Sequence, residues 1–103
     1  MISTNYTFSS IPYAHLESIK VTLKCDICKK QHEFELKEDI FDKIPNIEVA
    51  RFVLNYYLEN KVQEKIEELN WLSHELWLFC ENCKDKAVEF AEKQKKRFME
   101  VVV

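Results

Sequence analysis

With 103 residues, 47% of them hydrophobic and 13% aromatic, the chain can bury one modest core, which excludes a disordered protein and implies a single small globular domain. Its net charge of −3 argues against a general polyanion binder. No apolar run approaches the roughly 20 residues of a membrane span, so a soluble, cytoplasmic protein without a membrane partner is expected.

Residues 1–18 are polar and mixed, with Tyr6, Phe8, Ile11 and Tyr13 widely spaced and Pro12 interrupting them. They read as an N-terminal arm, laid over the core by its aromatics or extended towards a partner. Neither a basic start nor a continuous apolar stretch marks them as a secretory signal. The domain proper is expected over 19–103, starting where the pattern becomes strict alternation. Ile19, Val21 and Leu23 share one face of a strand, Lys20, Thr22 and Lys24 the other, and the run ends in Cys25-Asp26-Ile27-Cys28. Beyond it Phe34 and Leu36 alternate with Glu33, Glu35 and Lys37, so a second strand should return antiparallel, with the cysteine turn at the hairpin tip.

The stretch from Glu38 to Pro45 is an acidic connector with room for one helical turn. Asn46 can cap a helix, and Ile47, Ala50, Leu54, Leu58, Val62, Ile66 and Leu69 recur at three- and four-residue intervals, giving a helical insertion over about 46–69. The dense Val, Phe, Leu and Tyr content of Val49 to Leu58 also permits a strand there. Phe52, Tyr56 and Tyr57 are expected in the core. Asn70 can end the helix in the left-handed conformation that asparagine tolerates.

Trp71 to Phe79 is an apolar run interrupted by Ser73, His74 and Glu75, expected as a strand or hairpin against the first one, with Trp77 in the core. It leads into Cys80-Glu81-Asn82-Cys83. Ala87, Phe90, Ala91, Gln94 and Phe98 then recur with helical spacing, so the second cysteine pair sits at the mouth of a C-terminal helix, where Glu81 and Asp85 suit the positive end.

Cys25, Cys28, Cys80 and Cys83 are the whole cysteine content. Two C-x-x-C pairs point to a tetrahedral four-thiolate metal site. Zinc is the expected ion, and iron the alternative that such a site also accepts. A redox dithiol would need only one such pair, and disulfides suit secreted chains. Residues 29–79 between the pairs exceed the usual spacing of about 15–20 residues, which is where the helical insertion belongs. The chain has no glycine, so Lys29 and Lys84 stand where such turns often place one.

A hairpin tipped by one C-x-x-C and a helix opened by a second resembles the treble-clef and zinc-ribbon class of zinc sites, over Ile19 to Cys28 and Trp71 to Phe98. The resemblance implies an α+β zinc-stabilised domain with a structural metal, and names no activity. His74 lies close before the second pair, yet the histidine pair and further ligand of a treble-clef nuclease are missing.

Charge is segregated. From Glu33 to Cys83 acids outnumber bases twelve to five. Lys24, Lys29, Lys30, Lys84 and Lys86 flank the cysteines, where they offset a zinc–tetrathiolate charge of about −2. Lys93, Lys95, Lys96 and Arg97 on the last helix are the candidate nucleic-acid contacts. No catalytic dyad is visible. The expectation is a non-catalytic accessory or regulatory zinc module, of a kind that suits a bacterium or phage, that binds a protein partner. A nucleic-acid-binding finger is the alternative, and self-association is compatible with either.

Overall fold

The structure, a computed structural model, describes residues 1–74 and 76–102, those from 96 onward by backbone alone. Five strands and three helices follow one another as β1 (Ile2–Ser9), β2 (His15–Lys24), β3 (Gln31–Leu36), α1 (Ile47–Val53), α2 (Asn55–Glu68), β4 (Leu72–His74), β5 (Trp77–Phe79) and α3 (Ala87–Val102). The class is α+β, with a three-stranded antiparallel sheet in the order β1-β2-β3 and a separate β4-β5 hairpin.

β2 and β3 form the expected hairpin, Val21 opposite Phe34 and Ile19 opposite Leu36. Its connection carries Cys25 and Cys28. Two differences lie upstream. Residues 2–9, expected as an arm, are an edge strand with Ile2 opposite Leu23 and Tyr6 opposite Ile19, and β2 starts at His15 rather than Ile19. Ile2, Thr4, Tyr6 and Phe8 do alternate with Ser3, Asn5, Thr7 and Ser9, but the intervening residues are uncharged and the period is easily missed. A register shift between Thr7 and Phe8 ends the regular ladder.

One sheet face is wet and the other is covered. Leu16, Ile19, Val21 and Leu23 of β2 are fully buried against Phe41 and Ile44 of a short 3-10 turn (Asp39–Lys43 and its cap) and Ala50, Leu54, Val62 and Ile66 of the helices. Leu16 N–H donates to Ile44 O at 2.7 Å, which fixes the connector on the strand. Lys65 Nζ of α2 lies 5.6 Å over the Phe34 ring, a cation–π contact between the helix and the sheet.

The insertion is two helices rather than one long helix, and no strand forms at Val49 to Leu58. Asn46 accepts from Val49 N–H at 3.0 Å, so it caps α1 as its side chain suggests. The break is slight. Leu54 departs to φ −98°, ψ 4°, yet its N–H still reaches Ala50 O (2.9 Å) and its carbonyl still accepts from Leu58 (2.8 Å). At the other end Asn70 takes φ 60°, Asn70 N–H donates to Glu67 O (3.0 Å) and Trp71 N–H to Ile66 O (2.9 Å), a Schellman closure. It turns the chain so that Trp71, only 7% exposed, enters the core.

Burial corrects three aromatic expectations. Trp77 is half-buried and rests edge-on against Phe90 at 5.2 Å, while Trp71, Leu78 and Phe79 take the interior positions. Phe52 is 89% and Tyr56 79% exposed. Both lie on the side of α1–α2 turned away from the stripe that carries Ala50, Leu54 and Val62. Tyr57 is half-buried, edge-on to Phe41, and donates to Glu38 Oε1 at 2.8 Å. Partial burial and the Glu38 carboxylate hold its phenol above the ordinary range.

Candidate metal centre

The first cysteine pair lies in the turn after β2. Cys25 N–H donates to Lys30 O (2.9 Å) and Lys29 N–H to Cys25 O (3.1 Å), and Lys29 adopts φ 67°, the left-handed conformation for which glycine is usually chosen. A lysine there costs about 1 kcal/mol. The second pair needs no such residue. Cys83 and Lys84 N–H both donate to Cys80 O (3.0 Å), and the turn passes into a 3-10 segment, Lys84–Lys86, and on into α3.

Two polar links bring the turns together across the insertion. Asp26 N–H donates to Leu78 O at 2.8 Å, and Leu78 N–H donates to Asp26 Oδ2 at 2.8 Å, so the first turn is joined to β5 two residues before Cys80. Lys30 pairs with Glu81. The bond holds the ammonium above and the carboxyl below their ordinary ranges, and the Cys80 and Cys28 sulfurs add to the rise at Lys30. Sequence reasoning found the cysteines and missed these links. Asp26 and Glu81 lie inside the two motifs, but their partners are remote in the chain.

The four Sγ atoms all lie within 4.8 Å of one another, with Cys28 and Cys80 3.5 Å apart. A tetrahedron with metal–sulfur bonds of about 2.3 Å has edges of about 3.8 Å, so the set is of the right size for one ion. A disulfide would need sulfurs at about 2.05 Å, and all four cysteines are free. Cys25, Cys80 and Cys83 are buried, whereas Cys28 forms the exposed rim. The donor set therefore fits a metal ion that takes four thiolates.

Electrostatics point the same way. Burial raises the Cys25 thiol, but N–H groups of Cys80, Cys28 and Ile27 directed at its sulfur outweigh that and bring it down to about 6. Burial drives Cys83 the other way, to about 12, with the neighbouring thiols adding to the rise. Cys80 is also raised, first by burial. One thiolate is thus favoured and further ones are opposed by like charge, so a full tetrathiolate requires a cation among the sulfurs.

Lys93 pairs with Glu89 at 3.6 Å along α3. Lys95 is exposed, and the side chains of Lys96 and Arg97 lie outside the described residues. Around the cysteines, Lys29 Nζ donates to Asp26 O (3.1 Å) and Lys84 Nζ to Asn70 Oδ1 (2.8 Å), so these bases tie the turns down. Among the described residues no helix is long and apolar enough to cross a membrane. Comparisons of the chain with known protein families, curated proteins and solved structures give no match.

Proposed function

We propose that this protein is a small non-catalytic zinc module of treble-clef type, whose metal holds the fold and whose helical insertion docks a protein partner. The observation that carries it is the donor set: four cysteines within 4.8 Å leave a tetrahedral zinc no open position for water or substrate, which is the signature of a structural site. Zinc is the expected occupant and iron the alternative. Four free thiols suit a reducing, cytoplasmic setting.

The partner reading rests on Phe52 and Tyr56. Two aromatics of this exposure, one helical turn apart, are what an interface centre uses and what a free surface seldom carries. Glu48 and Glu59 flank them on the same helices, so the fitting partner offers apolar side chains rimmed by bases.

The test combines metal analysis with affinity capture. One zinc per chain is expected, and the protein should retain a partner after nuclease treatment. Changing Phe52 and Tyr56 to serine together should abolish capture while stability shifts by no more than about 0.5 kcal/mol per site, as for surface substitutions. Undiminished capture by the double variant would remove the docking face. Capture lost to nuclease, or weakening steeply with salt, would promote the nucleic-acid reading on Lys93, Lys95, Lys96 and Arg97.

A further inference from the structure

We propose that the outer edge of β1 is a self-association surface, which pairs antiparallel with β1 of a second copy of this chain about a two-fold axis at Thr4. In the order β1-β2-β3, both β1 and β3 present an edge with no strand partner among the described residues. Unpaired N–H and C=O groups on such an edge template a further strand, and proteins usually guard them with charge or proline. β3 is guarded by Glu33 and Glu35. β1 reads ISTNYTFS, eight residues with no charge, no proline and no glycine.

The ladder decides which backbone groups face outward. Lys24 N–H donates to Met1 O (2.8 Å) and Cys25 N–H to Lys30 O (2.9 Å), which marks both pairs as hydrogen-bonded. Alternation then turns Ser3 and Asn5 towards β2 and leaves the N–H and C=O of Ile2, Thr4 and Tyr6 outward. On β3 the outward residues are Gln31, Glu33 and Glu35. A two-fold axis at Thr4 bonds Thr4 to its own copy and sets Ile2 against Tyr6 twice, aliphatic–aromatic pairs that favour the ladder. The same operation on β3 sets Glu33 against Glu33, and like charges directly opposite oppose it. Of these two edges, only that of β1 is complementary to itself.

Side chains of the second copy also find room. A cleft of ≈ 180 Å³ opens between Ile2 and Thr4 of β1 and Asn55, Leu58, Glu59 and Val62 of α2. Leu58 and Val62 make its floor apolar, while Asn55 and Glu59 are polar groups at its lip. Tyr6 of the second copy, partly buried on its own core, is placed opposite Ile2 and brings its remaining exposed edge beside this mouth. The register shift after Thr7 confines the pairing to the regular segment 2–6. No metal ligand and neither Phe52 nor Tyr56 takes part, and Glu59 alone borders both surfaces, so the Phe52 and Tyr56 substitutions and the Thr4 substitutions test the two readings separately.

Sedimentation analysis of the full, metal-loaded chain should show a reversible dimer. Thr4→Pro removes an outward N–H without breaking a bond to β2, Thr4→Lys puts two cations face to face, and each should weaken the dimer by roughly 10- to 100-fold with zinc content and circular dichroism unchanged. Glu33→Lys should leave it intact. In the unaltered protein, the Thr4 and Tyr6 amides should exchange with solvent more slowly as concentration rises, while those of Glu33 and Glu35 do not, a readout independent of how the variants fold. A chain monomeric up to about 1 mM, or a dimer that protects Glu33 and Glu35 and not Thr4 and Tyr6, overturns the proposal.

Discussion

Stripping the metal is expected to unfold the protein, and this is the largest effect anticipated for any single perturbation. Four thiols lie within 4.8 Å, three of them buried, and only a cation makes their joint deprotonation favourable. A tetrathiolate zinc contributes roughly 10 kcal/mol of apparent folding free energy, while a domain of this size has a net stability of about 5–15 kcal/mol. Removal therefore takes away most of the margin. A strong chelator should abolish the far-ultraviolet dichroism of the helices and near-ultraviolet tryptophan signal together, and zinc should restore both. Cys80→Ser should do the same without chelator, because it removes a buried ligand. Cys28→Ser should do less, since water can reach that exposed rim. Acid should release the metal as protons compete for the sulfurs. A metal-free protein with an unchanged unfolding transition would end the structural-zinc reading.

Phe79→Ala should cost about 3–5 kcal/mol, the range for emptying a buried aromatic site. Phe79 is 0% exposed, stands directly before Cys80, and packs edge-on against Phe90 at 5.6 Å. Its removal leaves a cavity against Phe90 of α3, directly before the second cysteine turn. Trp77→Ala should cost less, because its indole is only partly buried and packs on Phe90 at the margin of the core. Urea unfolding of the metal-loaded variants measures both values. Equal costs, or a larger one for Trp77, would show that the indole and not Phe79 anchors β5.

The contrast between these two aromatics shows how far the sequence can be read. Trp77 and Phe79 share a strand face by alternation, and Trp77 carries the larger apolar surface, so sequence alone ranks it first. Its position beside the turn of a hairpin of three-residue strands, opposite His74, decides otherwise. Phe52 and Tyr56 fail for a related reason: an apolar side chain on a helix reads as core wherever it stands, and only the placement of α1 and α2 over the sheet shows which side is covered.

What the sequence determined by itself was local. The period-two pattern of Ile19, Val21 and Leu23 made β2, Asn46 and Asn70 bounded the insertion, and two C-x-x-C pairs named the candidate ligands, because each rests on the geometry of a few adjacent residues. Tertiary structure decided what depends on partners remote in the chain. Ile2–Ser9 is a strand because β2 offers it a ladder, and one turn reaches the other because Asp26 grips Leu78 and Lys30 meets Glu81. The sulfurs converge where those links join the two turns. Pairing across residues 29–79 leaves no period in the chain, since its energy lies in bonds between groups whose separation only the fold sets.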